Sequence, residues 1–392
     1  MADRIILHCD LNNFFASVSL LDNPTLYDVP VAVCGSAEER HGIVLAKNEI
    51  AKKYGVKTAE AVWEAKAKCP ELVILRPNYE KYRKYSEATR SILSRYTDLL
   101  EPFGIDEAWL DVTGSTLLFG DGEAIAESIR AAVKKELGLT VSVGVSFNKV
   151  FAKLGSDMKK PDAVTVITRE NFKQKVWPLA VSELLFVGKS TTKRLADLGI
   201  LTIGDVAECD DLTLERLLGK NGRQLKEYAL GEDNSPVLPY QCEHIPKSIG
   251  RSITPAKDIT TPDEVWSIFI SQAETIAHEL RKYSLYAGSI QVHTRTTALK
   301  VKEFSRALSS PTDLSMTIAK KGFELFQENY LWDMPLRSVG LRVSSLRDDT
   351  YAVQQDMFFE EADDSKDRII ESSIDSLRER FGKSSIKRGR TL

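Results

Sequence analysis

The first part of the chain, residues 1 to about 165, alternates short apolar runs with longer stretches in which apolar residues recur every three or four positions. Runs of the first kind predict strands, and the second spacing predicts helices. The predicted strands are Ile5–Cys9, Pro30–Cys34, Val73–Leu75, Ala108–Val112, Thr140–Val145 and Ala163–Ile167. The predicted helices are Tyr79–Leu100 and Glu123–Leu137. This mixture predicts a core of the α/β or α+β class.

The remaining chain changes texture three times. Residues 166–233 predict short helices separated by glycines, and a polar stretch rich in proline then predicts a linker over 234–246. Residues 247–347 return to mixed texture, with predicted strands Ser289–Thr294, Leu299–Phe304 and Ser338–Ser344 and predicted helices Asp263–Tyr283 and Asp313–Leu331. The polar tail ends in an amphipathic helix over 368–381, followed by Gly382.

Composition narrows the class of protein. The chain has 392 residues, of which 43% are hydrophobic, and no apolar run approaches the ~20 residues of a membrane span. No secretory signal is evident, so a cytoplasmic protein is expected. Five scattered cysteines argue against a disulfide framework and against a zinc site. The net charge of −3 counts mildly against nucleic-acid binding, although a total conceals local basic patches.

Three carboxylates are the first candidates for chemistry: Asp10 at the end of a predicted strand, and the adjacent pair Asp106 and Glu107. Carboxylates that converge from separate strands suit two magnesium ions. Neighbouring side chains on a regular strand point to opposite faces, so the pair requires a bend, which Gly104 permits. Spacing alone favours the plainer interpretations, a turn residue and a solvated edge.

Four segments carry a resemblance to a known family. They are Asp10–Ala16, Gly104–Asp111, Ser142–Leu154 with the following Lys160, and Lys247–Arg251. In this order they resemble the motifs of Y-family translesion DNA polymerases, and the bacterial DNA polymerase IV branch is most similar. The resemblance extends over nearly the whole chain.

The resemblance implies an α+β, multidomain right-hand polymerase with a separate α/β little-finger domain. Its implied boundaries are a palm over 1–19 and 76–165, fingers over 20–75, a thumb with a helix-hairpin-helix over 166–233, the linker over 234–246, a little finger over 247–347 and a tail over 348–392.

The resemblance also assigns roles around the carboxylates. Asp10, Asp106 and Glu107 would be catalytic and would bind two Mg²⁺ ions, with help from the Leu11 carbonyl. Phe15 would be the steric gate that excludes ribonucleotides. Lys52 and Lys160 would contact the triphosphate of the dNTP. The segment Val44–Val56 corresponds to a fingers helix, but Ala46, Glu49 and Lys52 depart from the family's pattern there.

Two further segments are expected to hold primer–template DNA. Gly188, Lys189 and Ser190 open a helix after a hairpin, where backbone N–H groups can meet a phosphate. In the 247–347 region, basic and polar residues alternate along the chain as they would on a sheet face lying on phosphates. Its DNA-contact candidates are Lys247, Ser248, Arg251, Arg295 and Arg342. Without the resemblance, an ordinary helix start and a solvated sheet face explain both segments.

The tail contains the run Gln354-Gln355-Asp356-Met357-Phe358-Phe359. It resembles the short peptide that binds the bacterial sliding clamp, with Gln354, Asp356, Met357 and Phe358 at the contact positions. Short motifs also match by chance. The terminal helix either docks on the body of the protein or binds a partner, and the sequence does not choose between these.

The expected function is therefore that of an error-prone, template-directed DNA polymerase in translesion synthesis and DNA repair, monomeric and without proofreading. The alternative is a clamp- and DNA-binding relative of such enzymes whose altered fingers no longer bind nucleotide. A third hypothesis is another palm-type nucleotidyl enzyme, such as a cyclase, which the hairpin and the clamp-like peptide disfavour.

Overall fold

The computed structural model describes residues 3–36, 42–242, 245–348, 365–382 and 385–386. These residues divide into two compact units, one formed by 3–36 and 42–242 and the other by the described residues from 245 onward. The division falls within the predicted linker over 234–246. Both units combine helices with sheets, which confirms the α+β prediction.

The elements of the first unit follow one another in a mixed order. Its strands are β1 Ile6–Leu11, β2 Val31–Cys34, β3 Val44–Lys47, β4 Val73–Leu75, β5 Leu100–Pro102, β6 Glu107–Asp111, β7 Val141–Ser146 and β8 Val164–Val166. Its helices are α1 Phe14–Leu20, α2 Glu49–Lys53, α3 Val62–Lys68, α4 Tyr79–Leu93, α5 Thr116–Phe119, α6 Gly122–Leu137, α7 Lys149–Met158, α8 Phe172–Val176, α9 Lys189–Ala196, α10 Ile203–Glu208, α11 Asp211–Leu218 and α12 Lys220–Leu230. Three short 3₁₀ turns lie at Pro24–Leu26, Thr113–Ser115 and Val181–Glu183.

The main sheet has the strand order β5-β6-β1-β7-β8, with β1 antiparallel to both neighbours. Successive side chains of β1 point to opposite faces of the sheet. Leu7, Cys9 and Leu11 belong to the apolar core shared with α4 and α6. The other face, which carries His8 and Asp10, is covered by α7. Polar side chains are therefore confined to one side of an otherwise apolar strand.

Helix α7 approaches the sheet closely because of Gly144 on β7. A Cβ at Gly144 would lie 1.9 Å from the carbonyl oxygen of Ala152 and 2.5 Å from the backbone nitrogen of Ser156. Any larger residue would therefore push the helix away. Gly155 extends the close contact, since its own Cβ would lie 3.2 Å from the Cα of Gly144. The two glycines bring the polar side chains of α7 within hydrogen-bonding reach of β1.

A smaller sheet with the order β3-β2-β4 occupies the region predicted as fingers. The predicted helix over Val44–Val56 is wrong in its first half: strand β3 covers Val44–Lys47, and the helix α2 has only five residues. Asn48 separates the two, because its side chain accepts a hydrogen bond from the Ala51 N–H at 2.9 Å and caps the helix.

The region predicted as a thumb is helical, as expected, and contains α8 to α12 around its own apolar core. The second unit is built on one antiparallel sheet and two long helices. Its strands are β9 Ser248–Ile253, β10 Leu285–Thr296, β11 Val301–Thr312, β12 Leu336–Ser344 and β13 Arg347–Asp348. Its helices are α13 Pro262–Lys282, α14 Ser315–Asn329 and α15 Ser365–Phe381.

The sheet of the second unit has the order β11-β10-β12-β9, and β13 pairs with β10. Helices α13 and α14 cover one face, where Ile290, Val292, Val339 and Leu341 are buried. The residues that alternate with them lie on the opposite face, which no helix covers among the described residues. Strand β9, which sequence reasoning treated only as a domain entry, forms one edge of this sheet.

Helix α15 docks on the second unit through charged side chains. Arg281 of α13 lies 2.6 Å from Glu371 and 2.7 Å from Asp375. Glu371 is buried and also accepts the backbone N–H of Ser315, the first residue of α14, at 3.0 Å. Four apolar side chains of α15, Ile369, Ile370, Leu377 and Phe381, are exposed. The predicted amphipathic helix therefore exists, but its polar side makes the contact.

Sequence reasoning placed most element centres correctly and several ends wrongly. Helix α4 ends at Leu93 rather than Leu100, where the chain instead enters strand β5. The strands β10 and β11 each reach 12 residues, about twice the predicted length. Long strands whose exposed face is polar have a weak apolar signal, so their outer ends were read as loops.

Candidate active site

The covered face of β1 carries the candidate site. The strand register pairs Asp10 with Glu107 and His8 with Trp109 across β1 and β6. Because each pair is directly opposite in an antiparallel sheet, all four side chains lie on the same face. Asp10 is only 4% exposed. The two chain segments that sequence reasoning linked through metal chemistry are therefore neighbours.

Asp106 joins them through a bend before β6. The strand begins at Glu107, and Gly104 has a φ of +92°, so the chain turns just ahead of the acidic pair. This left-handed conformation favours glycine. The carbonyl oxygen of Asp106 accepts the Leu11 N–H at 3.0 Å, which fixes the bend to β1. Because of this bend, Asp106 precedes the regular strand, and its side chain is not forced onto the face opposite that of Glu107.

Two lysines from α7 and the loop after it reach the carboxylates. Lys160 Nζ lies 2.6 Å from Asp10 Oδ2, and Lys153 Nζ lies 2.7 Å from Glu107 Oε2. Asp157 lies between them, 2.8 Å from Lys160 Nζ and 3.5 Å from Lys153 Nζ. The cluster is thus a partly buried array of alternating charges.

The charges perturb the acidity of these groups in opposite directions. Burial raises the pKa of Asp10 to about 6, although the Lys160 ammonium opposes the shift. Burial would also raise the pKa of Glu107, but its close contacts with His8 and with the Lys153 ammonium outweigh this and hold that pKa at about 2. Burial lowers the pKa of His8 to about 4, so its imidazole is neutral near pH 7.

A cavity of about 260 Å³ opens over these carboxylates. It brings together most of the residues predicted to bind metal and nucleotide: Asp10, Leu11, Phe15, Asp106, Glu107 and Lys160. The ring of Phe15 is stacked on Tyr82, with centroids 4.2 Å apart and planes 10° apart. Phe15 is therefore a rigid wall of the cavity.

Lys52 does not line the cavity. It lies 3.6 Å from Glu49, whose carboxylate accepts a hydrogen bond from the Asn13 side chain at 2.9 Å. Lys47 lines the cavity instead, and its ammonium donates to Thr58 at 3.2 Å. Glu49, one of the residues that depart from the family's pattern, thus has its negative charge engaged by Asn13 and Lys52.

The donor set suits a hard divalent cation. Carboxylate oxygens at Asp10, Asp106 and Glu107 are the ligand type that Mg²⁺ prefers. The two lysine ammonium groups, drawn onto Asp10 and Glu107, demonstrate that this cluster attracts cations. Within the described residues, no three His, Cys, Asp or Glu side chains already converge as a metal site.

The predicted DNA contacts of the helical region lie at the start of α9. Gly188 precedes the helix, and Gly188, Lys189 and Ser190 are all exposed. Gly188 has an ordinary negative φ, and a Cβ there would meet nothing within 4 Å. The positive φ of this hairpin, +67°, belongs to Phe186, which is 72% exposed. The hairpin therefore leaves open space in front of the helix.

The predicted contacts of the second unit divide between its two faces. Arg295 and Arg342 lie on the open face, and Arg342 donates to Ser248 across the strands at 2.7 Å. Arg251 is opposite the buried Leu341, so it belongs to the covered side, where it pairs with Glu279 of α13. Lys247 is exposed just before β9. Four of these five residues are thus available to a ligand.

One predicted group of residues lies outside the described structure, and two residues that contact Glu107 were not predicted. The clamp-like residues Gln354, Asp356, Met357 and Phe358 lie outside the described residues. His8 and Lys153 contact Glu107 but were assigned no role. The signal for His8 was available, because a residue two positions before Asp10 shares its face of the strand.

Family models and relatives match the chain over most of its length. Residues 9–157 match the model of the impB/mucB/samB family, and residues 246–357 match the model of that family's C-terminal domain. The DNA polymerase IV of Acetivibrio thermocellus is 50% identical over 386 residues, which cover 98% of this chain and 97% of the relative. The DNA polymerase IV 1 of Bacillus subtilis is 37% identical and covers 99% of this chain and 93% of the relative.

The fold has a solved counterpart. A Y-family DNA polymerase chimera superposes with a TM-score of 0.78 at 24% identity, over 88% of this chain and 99% of the chimera. No described helix is both long and apolar enough to cross a membrane. Sequence and fold agree. The chain therefore belongs to the impB/mucB/samB family, and its relatives at 50% and 37% identity over nearly its whole length place it among the DNA polymerase IV proteins.

Proposed function

We propose that this protein is a DNA-directed DNA polymerase that adds deoxynucleotides to a primer 3′ end, in translesion synthesis and DNA repair. The observation that supports the proposal most directly is the cavity in which Asp10, Asp106, Glu107, Phe15 and Lys160 meet. Acidic groups, a flat apolar wall and an ammonium are the three features that a metal-bound deoxynucleoside triphosphate requires.

In this proposal, Asp10, Asp106 and Glu107 hold two Mg²⁺ ions, with the Leu11 carbonyl as a further ligand. Such ions activate the primer hydroxyl and stabilise the leaving oxygen of an in-line displacement. Phe15 lies against the sugar, where its ring, held by Tyr82, leaves no room for a 2′ hydroxyl. Lys160 turns from Asp10 to the triphosphate, for which a compact ammonium is well suited.

In this proposal, Lys47 replaces Lys52 as the second basic contact to the triphosphate. Lys47 already lines the cavity, whereas Lys52 is paired with Glu49 outside it. Desolvation lowers the pKa of Lys47, and the nearby Lys52 adds to the effect. A bound triphosphate would relieve both costs, because it supplies the opposite charge.

DNA is held at positions that read no sequence. The exposed start of α9 offers backbone N–H groups to a phosphate, and Arg295 and Arg342 offer guanidinium groups on the open face of the second sheet. The domain boundaries expected from the family apply to this proposal: palm, fingers and thumb in the first unit and little finger in the second.

The remaining parts of the proposal concern partners. The enzyme acts as a cytoplasmic monomer, and the peptide Gln354–Phe359 binds the sliding clamp. The proposal also includes the absence of proofreading. A labelled primer with a mismatched 3′ end should therefore stay intact with Mg²⁺ and no dNTP, and its shortening would refute this part.

Primer extension with purified protein, primer–template DNA, dNTPs and Mg²⁺ tests the central claim. The unaltered protein should extend the primer, and Asp106→Ala and Glu107→Ala should each abolish extension. Asp111→Asn is a matched control, since Asp111 is an acidic residue on the same strand whose carboxylate bonds to Thr113 outside the cavity. Full activity of the first two variants would remove the assigned site. Absence of extension by the unaltered protein would favour the non-catalytic alternative.

A further inference from the structure

Glu49 connects the region of the small sheet to the turn that follows β1. Its Oε1 accepts a hydrogen bond from Asn13 Nδ2 at 2.9 Å, and both residues are partly buried. Asn13 lies between β1 and α1, whereas Glu49 is the first residue of α2. Within the described residues, no other hydrogen bond or ion pair joins 44–75 to 3–19 or to 76–165.

Both ends of this hydrogen bond are held by their own surroundings. Asn48, directly before Glu49, is buried, and its side chain accepts the Val31 N–H of β2 at 3.0 Å while it caps α2. Asn13 has a φ of +51°, which asparagine tolerates better than most residues, and its side chain makes no capping bond to α1. The bond therefore joins two ordered parts of the fold.

The two ends lie next to the groups proposed to hold the nucleotide. Phe15 is two residues after Asn13, and Lys47 is two residues before Glu49. Phe15, Asn13 and Lys47 all line the cavity over the carboxylates. Lys47 donates to Thr58 within its own region, so its position follows that of β3 and α2. The placement of this ammonium in the cavity consequently depends on how the α2 region is held.

The carboxylate of Glu49 is engaged outside the cavity. Its Oε1 accepts from Asn13 and lies 3.6 Å from Lys52 Nζ, and Glu49 is not among the residues that line the cavity. Asn13, in contrast, does line it. Glu49 therefore acts on the nucleotide site through Asn13, while its negative charge, which would repel a triphosphate, is directed elsewhere.

We propose that Glu49 is a positioning residue: its hydrogen bond with Asn13 holds the α2 region against the turn after β1 and thereby places Lys47 for the triphosphate. This inference rests on the proposed function for the identity of the ligand. A hydrogen bond to an ionised acceptor is stronger than one between neutral groups, so a single bond of this kind can fix the position of a short helix. Glu49 thus contributes as an acceptor and not as a negative charge.

Three substitutions separate the hydrogen bond from the charge. Glu49→Gln loses the charge but keeps Oε1 as an acceptor, whereas Glu49→Ala loses both. Asn13→Gly removes the donor, and glycine adopts the left-handed backbone of this position without strain. Glu71→Ala is a matched control, because Glu71 accepts a hydrogen bond from Tyr54 at 2.6 Å within the same region and does not line the cavity.

The measurement is calorimetric titration of dCTP, with MgCl₂ present, into the full-length protein bound to primer–template DNA. The primer is dideoxy-terminated and the next template base is guanine, so dCTP binds but cannot react. We expect Glu49→Ala and Asn13→Gly each to weaken dCTP binding by about fivefold or more, the effect of one hydrogen bond to a charged group. Glu49→Gln should bind within about twofold of the unaltered protein, and Glu71→Ala should bind as the unaltered protein does.

The double variant Asn13→Gly, Glu49→Ala should bind dCTP no more weakly than either single variant, because both remove the same bond. Additive losses would overturn the inference. Thermal melting establishes that each variant is folded. If Glu49→Ala does not fold, Asn13→Gly decides alone: weaker dCTP binding supports the inference, and unchanged binding overturns it.

Three further results would overturn the inference. Tighter or unchanged dCTP binding by Glu49→Ala would show that the carboxylate repels the triphosphate or does not act on it. Equal losses in Glu49→Gln and Glu49→Ala would assign the effect to charge. Absence of dCTP binding by the unaltered protein would remove the ligand. Primer extension in parallel reports separately on the proposed function, since dCTP can bind without being incorporated.

Discussion

Phe15 shows how a single side chain acquires a role from its support. The ring is stacked on Tyr82 and meets Tyr79 edge-on, with centroids 5.9 Å apart. Tyr82 is itself fixed by a hydrogen bond of 2.8 Å between its hydroxyl and Ser19. Under the proposed function, a wall with this backing would not rotate away from an extra hydroxyl, and selection against ribonucleotides would depend on the whole aromatic cluster.

We therefore expect Phe15→Ala to raise incorporation of ribonucleotides relative to deoxynucleotides by about tenfold or more, which corresponds to at least ~1.4 kcal/mol of lost discrimination. Single-nucleotide insertion kinetics with dCTP and CTP measure the ratio. Tyr82→Phe keeps the stacked ring but loses the bond to Ser19, so it should raise ribonucleotide incorporation less than Phe15→Ala does. A ratio unaltered by Phe15→Ala would exclude this residue as the gate.

The cavity positions of Asp10 and Phe15 were predicted, that of Asp10 by the motif and the periodicity of β1, and that of Phe15, which lies in α1, by the motif alone. Lys52 was not, because its position depends on a contact between Glu49 and the distant Asn13, and no local pattern encodes that contact. His8 escaped attention because a buried histidine on an apolar strand is ordinarily read as core. Its partner Ser156 is far away in sequence and near only because of Gly144.

A loop between two elements positions Lys160. Asp162 follows it closely, and its carboxylate lies 3.0 Å from Arg130 and 2.8 Å from Lys134 on α6. The backbone N–H of Asp162 donates to the Asn12 side chain at 2.8 Å. Burial opposes ionisation, but the hydrogen bonds and charges of Lys134 and Arg130 together outweigh it and lower the pKa of Asp162 below its usual value.

Asp162→Asn should consequently lower the free energy of unfolding near neutral pH by less than about 1 kcal/mol, since the pairs are only partly buried. The pKa is lowered on folding, so the stabilisation is complete above the usual aspartate value. The stabilisation should disappear as the pH falls through the lowered folded-state pKa, because Asp162 is then protonated in both the folded and the unfolded protein. Urea unfolding at pH 7 and at pH 3 measures the difference. A loss that persisted undiminished in acid would contradict the ionic explanation.

Strand alternation separates the arginines of the second unit. Arg342 should meet DNA phosphates from the open face, while Arg251 faces α13 and Glu279. Arg342→Ala is expected to weaken DNA binding and to reduce the slope of log affinity against log salt by about one. Arg251→Ala should leave that slope unchanged. Fluorescence anisotropy over a range of NaCl concentrations measures both, and equal slopes for the two variants would contradict the assignment of faces.

At the scale of elements, the sequence predicted the existence of most helices and strands and their type, but it did not predict how they pair. The alternation of basic and polar residues in the second unit predicted that its basic residues, Lys302 and Arg306 among them, lie on one face of the sheet. The register instead places Lys302 and Arg306 opposite the core-facing Thr294 and Ile290. Successive residues of a strand point to opposite faces, so an error of one residue in the register moves a side chain to the other face. Bulges such as those in β10 introduce such a shift.

At the scale of the whole molecule, a linker was predicted over 234–246, and the division between the two observed units falls within it. The docking of α15 could not be predicted. Its apolar spacing suggested an apolar contact, whereas Arg281, Glu371 and Asp375 make the contact and Ile370 and Phe381 are exposed. A pairing between charges distant in sequence has no periodicity to reveal it.

Clamp dependence is the prediction that belongs to this scale. Deletion of Gln354–Phe359 should leave basal primer extension intact and abolish its stimulation by a bacterial sliding clamp, because the catalytic cavity lies in the other unit. Replacement of Glu360 and Glu361 by alanine serves as the control, since it removes acidic charge and keeps the peptide. Undiminished stimulation after the deletion would place the clamp contact elsewhere.

The anchoring of α15 has a consequence for the segment that contains this peptide. Residues 349–364 join β13, which pairs with β10, to α15, which is bonded to α13 and α14. The ion pairs of Arg281 with Glu371 and Asp375 therefore hold α15 on the same unit as β13. Because these side chains are largely buried, salt should screen them only weakly, and the docking of α15 should persist at high ionic strength.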